Sequence, residues 1–233
     1  MTTTINEIDK FKIIIPAKEI LIANPILGNS FLGCHIKTFE DKTIIETSGK
    51  IFSTPTSLGE ITTNNINMLN KKLYEMGVCI NENYLLNDAV VGVVHVKKDI
   101  LVDSNPNYYL SELREQFKRN TEKYDVHRFG SLNYTNGLVL IPKAKSIKHR
   151  IVFYIKYNEI SQNKHTDLGY FNNFDFEYLE NLKKTIRIEF QYNAFADIRN
   201  AFNLEFGEIP TINRILESQT DVVKTQFNKL LVA

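Results

Sequence analysis

Three segments of this chain alternate apolar and ionisable residues with period two, and this pattern constrains the fold more than any other feature. Successive side chains of a strand point to opposite faces. In "KHRIVFYIKYNEI" (148–160) Ile151, Phe153 and Ile155 form an apolar row, while Lys148, Arg150, Tyr154 and Lys156 fall on the other face with Val152 among them. In "TIRIEFQY" (185–192) Ile186, Ile188, Phe190 and Tyr192 alternate with Thr185, Arg187, Glu189 and Gln191. In "AVVGVVHVKKDILVD" (89–103) Val94, Val96, Ile100 and Val102 form a core row broken by Lys98, against His95, Lys97, Asp99 and Asp103. Each segment is expected to be a strand with one buried face. A shared sheet would bring Asp99, Tyr154, Lys156, Arg187 and Glu189 together on its open side.

The remaining pattern fills in an architecture. Strands are expected at 9–16, across a hairpin or meander at 31–53 turning at Glu40-Asp41-Lys42, and at 125–134 and 137–143, joined at Asn136-Gly137. Helical spacing marks 60–78 with Gly77 as its stop, 104–120 with Pro106 in the first turn, then 174–184, 193–204 and 210–231. The order implies an α+β fold: a mostly antiparallel sheet with helices packed on one face and a polar active-site face on the other.

Charge and cysteine usage remove some function classes. The formal net charge is +1, so any case for nucleic acid rests on local patches rather than on the whole chain. Cys34 and Cys79 have no metal-ligand spacing and are too few for a disulfide framework, which fits a reducing compartment. The polar opening "MTTTINEIDK" lacks the apolar segment of a signal peptide, and no stretch approaches the ~20 apolar residues of a membrane helix. The expectation is a soluble protein of the cytoplasm with no membrane partner.

The ionisable set has a chemical logic. A tyrosine can attack phosphorus and hold the phosphodiester energy in a covalent intermediate. Its ordinary pKa near 10 calls for neighbouring positive charge, and Lys156 follows Tyr154 by two residues. Asp99 and Glu189 are hard oxygen donors suited to Mg2+ or Mn2+, with Asp103 or His95 as a supplement. "KAKSIKHR" (143–150) supplies Lys143, Lys145, Lys148, His149 and Arg150 without an acid among them, a candidate phosphate-binding run. Plainer readings compete. Tyrosine is a good strand former on any solvated face. Asp99 and Glu189 suit cross-strand ion pairs. A basic run is often a solvated hairpin tip. Arg114, Lys118, Arg119 and Lys123 are balanced by Glu112, Glu115 and Glu122 and give little support for DNA binding.

The order of "IDKFKIIIP", "KKDILVD", "HRIVFYIKYNEI" and "IRIEFQYNAFADI" resembles the replication initiators of filamentous phages, the gene II type nicking–joining endonucleases, and the related Rep_trans-type rolling-circle plasmid initiators. The resemblance spans residues 8–204. It implies a nicking–joining core over 1–204 and a C-terminal helical extension over 205–233. By position it makes Tyr154 the nucleophile with Lys156 beside it, and Asp99 and Glu189 the ligands of a divalent ion. It also makes His149, Arg150 and Arg187 contacts to DNA. The implied reaction nicks origin DNA, single-stranded or extruded as a hairpin, leaves a 5′-phosphotyrosine and a 3′-hydroxyl for a host polymerase, with a host helicase as a further partner, and later rejoins the strand. "K-K-D" stands here where the family has "R-I-D", and no His-hydrophobe-His motif is present. Tyr157 is a second candidate nucleophile that strand parity would turn to the opposite face. Two other classes remain open: a DNA-binding protein of a phage or plasmid without catalysis, and a structural virion or interaction protein.

Overall fold

Phe11, Ile13 and Ile15 are fully buried on one side of the first strand, and Lys10, Lys12 and Ile14 alternate with them, half-exposed on the other. This strand, β1 (Glu7–Pro16), pairs antiparallel with β5 (Lys42–Ser48), with Ile13 opposite Ile45. The computed structural model that gives this arrangement describes residues 6–23, 30–31, 33–52, 59–119, 122–129, 137–162 and 176–231. The fold is α+β, built on antiparallel strand pairs with helices, as the alternation implies.

The chain divides into two compact units, one made of residues 1–96 and 193–222, the other of 97–192 and 223–233. In the first, the sheet runs β3 (Ser30–Phe31), β4 (Cys34–Thr38), β5, β1 and the start of β7 (Val90–Leu101). Cys34 and Ile36 of β4 face the same core, and burial pushes the Cys34 thiol up to about 12, so it stays protonated. A small second sheet pairs β2 (Ile20–Ala23) with β6 (Val78–Ile80). The helix expected over 60–78 is shorter: α1 is Met68–Glu75. Its expected first turn is replaced by a polar turn in which the Asn65 side chain accepts from the Thr62 amide and donates to the Glu60 carbonyl. Ile61 and Ile66 are buried there without being helical. Gly77, at φ 82°, takes the left-handed conformation that ends α1. A short α2 (Glu82–Asn87), capped by Asn81, was not expected from the spacing. Two helices, α6 (Phe195–Phe202) and α7 (Ile212–Glu217), complete the unit.

In the second unit the sheet runs from the end of β7 through β11 (Thr185–Tyr192), β10 (His149–Ile155) and β9 (Gly137–Pro142) to β8 (Tyr124–Phe129). Among the described residues α3 (Pro106–Arg119), α4 (Lys156–Gln162) and α5 (Phe176–Lys183) follow in chain order here. Phe153 packs against Phe117 of α3 at 5.9 Å between ring centroids and against Phe227 of α8 (Val222–Leu231) at 6.4 Å. Asn136, half of the expected hairpin turn, lies outside the described residues. So do 130–134 of the strand expected to continue from β8. The single helix expected at 210–231 is two helices, because Ser218 leaves the helical path: its hydroxyl donates to the Phe202 carbonyl and accepts from the Thr220 amide. Among the described residues no helix is long and apolar enough to cross a membrane.

Two expectations about the strands are overturned. The polar face of 185–192 is not open: every residue of β11 is buried. And Ile100, expected in the core row of β7, is 41% exposed at the strand's end.

Candidate functional site

Register fixes which side chains of the second unit meet. In β10 and β11 the directly opposed pairs are Arg150 with Gln191, Val152 with Glu189, and Tyr154 with Arg187. Opposed residues of an antiparallel pair share a face, so Arg150, Tyr154, Arg187, Glu189 and Gln191 form one polar patch. The sequence alternation assigns them to that face, and the structure turns adjacency into bonding. The Tyr154 hydroxyl donates diagonally across the strands to Glu189 Oε1 at 2.6 Å. Gln191 Nε2 donates to Glu189 Oε2 at 2.6 Å. Arg150 Nε donates in turn to Gln191 Oε1.

Asp99 joins the patch from β7. Arg187 donates to it through both arms of its fork, Nε to Oδ1 and Nη2 to Oδ2, each at 2.6 Å. Such bidentate, charge-assisted pairs are the strong ones. Burial alone would raise the Asp99 carboxyl. The Arg187 guanidinium outweighs it, with Lys97 and Lys156 adding positive charge, and holds the group below its ordinary range. The Tyr178 phenol of α5 is pushed up, by burial and by the Asp99 charge. Arg187 is wholly buried and Lys97 is 2% exposed, while the Asp99 side chain keeps 32% of its surface, so the ionic layer is buried on its cationic side and reaches solvent at Asp99.

Lys156 reaches the same place by another route. It is not a strand residue, because the ladder ends at Ile155 opposite Ile186 and Lys156 opens α4. Its ammonium donates to Glu159, three residues on, and lies 5.9 Å from the centroid of the Tyr154 ring. Tyr157 is therefore helical and not governed by strand parity. Its ring lies 5.4 Å from the Lys183 ammonium.

The other expected site residues separate. His149 faces away from Tyr154. It is opposite Tyr192 on the apolar side, with ring centroids 5.5 Å apart, while Arg150 stays with the patch. Lys143, Lys145 and Lys148 are exposed in the β9–β10 connection, and Lys143 lies 3.6 Å from Asp125. Asp103 lies beyond the end of β7 and accepts a hydrogen bond from Tyr109 of α3. His95 is half-buried on β7.

The alternation contains Gln191 without revealing its role as a bridge, and Glu159 was missed. The signal for Glu159 is its spacing of three from Lys156, which is helical and not strand-like.

The expected ion site does not fit this donor set. Both Asp99 oxygens accept from Arg187, and the two Glu189 oxygens accept from Tyr154 and Gln191. Among the described residues no three of His, Cys, Asp and Glu gather as a metal ion would need. As arranged, the two carboxylates serve side-chain donors.

No protein-family model matches the chain, and no curated protein does. Among solved structures it is similar to a rolling circle replication initiator protein from Geobacillus stearothermophilus. The sequence identity is 13%, the match covers 80% of this chain and 73% of that one, and the TM-score is 0.38.

Proposed function

We propose that the chain is a replication initiator of a small circular DNA element, phage or plasmid, that nicks and rejoins origin DNA through Tyr154. The observation that carries the proposal is the Tyr154 hydroxyl held 2.6 Å from a buried carboxylate, Glu189, and facing a buried cation, Arg187. That pairing is what an activated nucleophile requires: a base within hydrogen-bond reach and positive charge to stabilise the phenolate. In the nicking step the Tyr154 oxygen forms a bond to the scissile phosphorus and its proton passes to Glu189. The bond from phosphorus to the 3′-oxygen breaks, and that oxygen leaves as a hydroxyl after taking up a proton. A 5′-phosphotyrosine remains, and attack by a later 3′-hydroxyl reverses the step. Lys156 and Arg187 lower the cost of negative charge on the phenol and the phosphate. Lys143, Lys145, Lys148 and Arg150 bind flanking phosphates, and a host polymerase would extend the exposed 3′-end while a host helicase opens the duplex. A requirement for Mg2+ or Mn2+ belongs to the proposal, and its ligands are not Asp99 and Glu189 in their present bonding.

One observation favours a second reading, a DNA-binding protein without catalysis. Tyr154 is 5% exposed, and Glu189 already bonds through both oxygens. In that reading the network is a structural polar layer and DNA meets only the exposed lysines.

The test is direct. The full chain is incubated with supercoiled and single-stranded DNA of its own element, with Mg2+, Mn2+ or chelator, and denatured gels are read for a covalent protein–DNA band. The nicking reading expects an adduct that disappears in Tyr154→Phe and persists in Tyr157→Phe. DNA binding with no adduct under any ion condition selects the second reading.

A further inference from the structure

A cleft of about 240 Å³ opens between α3 and the β8–β9 strand pair, lined by Asn107, Leu110, Ser111, Arg114, Arg128, Gly137 and Leu138. Asn107, Ser111 and Arg114 recur at intervals of four and three, so they share one helical face. Arg128 comes from the sheet. It is opposite Leu138, which is opposite Phe153, and Phe153 packs on Phe117 of α3, so Arg128 is on the sheet face that carries the helix. Tyr154 follows Phe153 in β10 and points to the other face. The cleft is therefore distinct from the Tyr154 patch.

The polar part of the lining is rich in donors. Two arginines, an asparagine and a serine border the space beside Leu110 and Leu138, and among the described residues no carboxylate lines it. Glu115, the acid next to Arg114, accepts instead from Lys118 at 2.9 Å. Arginine forks match the oxygens of a phosphate group, and serine and asparagine supply neutral donors beside them. At about 30 Å³ per water, the volume admits a phosphate group with several retained waters. It is too polar and too small for a drug-sized apolar ligand.

We infer that this cleft is a phosphate-binding subsite that takes a backbone phosphodiester of single-stranded DNA. The inference rests on the reading that the chain handles nucleic acid, but not on the nicking chemistry. Because the net charge is only +1, attraction to DNA must come from local groups. This pair of arginines is such a group, and the balance of charges along α3 in the sequence conceals it.

The experiment measures binding of the full chain to an oligothymidine at several salt concentrations, in a Tyr154→Phe background so that no adduct forms. Arg114→Gln and Arg128→Gln are made singly and together, with Arg→Lys variants beside them. A phosphate contact to a single strand contributes about 0.7 to the slope of log affinity against log salt. Each Gln variant is expected to lower the slope by about that amount and the pair by twice it, equally for oligonucleotides of different sequence. The Lys variants are expected to keep most of the slope. Inorganic phosphate should perturb the guanidinium Nε–H NMR signals of both arginines, and lose that effect in the double variant. If inorganic phosphate perturbs both arginines but the double variant keeps the full slope, the site takes free phosphate and the assignment to nucleic acid is overturned. If neither probe senses either arginine while thermal melting is unchanged, there is no subsite. An adduct from the wild-type chain in the gel assay, with no slope change from the arginine variants in the Tyr154→Phe background, would sink this inference alone. A slope change in the Tyr154→Phe background, with no adduct from the wild-type chain in the gel assay, would sink the nicking reading alone.

Discussion

Strands β1 and β11 have the same kind of sequence and opposite surroundings. Both alternate apolar side chains with ionisable ones. In β1 the polar row is half wet: Lys10 and Lys12 reach Glu46 of the neighbouring strand at 2.9 and 3.5 Å, with side-chain exposures of 33%, 33% and 24%. In β11 the polar row is sealed, with Arg187 at 0% and Glu189 and Gln191 at 6%. A half-exposed row can leave a lone pair to water. A sealed one must satisfy each charge from within, and β11 does so through Asp99, Tyr154 and the Gln191–Arg150 bridge. Period two specifies which residues share a face but not whether that face meets water. The number of bonds each polar group makes tells the two cases apart.

The largest expected effect follows from Arg187. Asp99→Ala removes the fork's acceptors and leaves a buried guanidinium without its main counter-charge. Breaking a buried pair from one side typically costs about 3–5 kcal/mol. Urea unfolding of Asp99→Ala should show a loss in that range, and Asp99→Ala with Arg187→Leu should recover part of it, because the stranded charge is then gone. A loss under about 1 kcal/mol for Asp99→Ala would mean that the β11 layer behaves like the surface of β1.

Tyr154→Phe comes next. It deletes one hydroxyl and with it the hydrogen bond given to Glu189 Oε1 in a buried place. Losing a hydrogen bond to a buried charged group costs about 1–3 kcal/mol. The variant should fold, with an unfolding midpoint lowered accordingly, so loss of a covalent adduct cannot be put down to loss of structure. An unchanged midpoint would argue that water already reaches this oxygen.

How much of this was legible follows from the same comparison. The faces of β1, β10 and β11 were readable because a period of two leaves no freedom once the strand is assigned. The convergence of Asp99, Tyr154, Arg187 and Glu189 on one face was readable for that reason. The diagonal bond from Tyr154 to Glu189 was not, because it depends on the register that sets Tyr154 opposite Arg187. The change from strand to helix at Lys156 was hidden, since "YIKYNEI" satisfies either pattern locally and only the Lys156–Glu159 spacing favours the helix. The burial of β11 was not legible at all, because cover comes from tertiary packing and leaves no mark on the strand's own residues. Asn65 shows the converse case: apolar spacing suggested one long helix, and a single polar side chain satisfying backbone groups on both sides displaced its first turn.

Acid should separate the two strands by a smaller margin. The Asp99 carboxyl is held below its ordinary value, near 3.9 in an unfolded chain. A group depressed on folding stabilises fully above its unfolded value, and that contribution is lost as pH falls through its folded value. The stability difference between the wild type and Asp99→Asn should therefore be constant near neutrality and narrow as pH drops below about 4. The measurement is urea unfolding at a series of pH values. A gap that stays constant into strong acid would mean that Asp99 is not charged in its pair with Arg187.

The smallest effect belongs to β1. Glu46 is also depressed, chiefly by its hydrogen bond from Lys10, with the two lysine charges helping against burial. The three side chains are partly in water, so solvent screening limits what the pairs contribute. Exposed pairs of this kind measure about 0.2–1 kcal/mol. Glu46→Gln should fall in that range, and the loss should shrink further at 1 M salt, where the screening length is about 3 Å. Asp99→Ala at the same salt should keep most of its deficit, since the guanidinium it strands has no exposed surface, even though the Asp99 side chain itself is 32% exposed. The contrast rests on this salt dependence more than on the absolute losses. If both deficits fade together as salt rises, the polar row of β11 is open to ions and its sealed character is lost. If the Glu46→Gln deficit survives 1 M salt undiminished, the polar row of β1 is the better protected of the two, and the difference between the strands runs the other way.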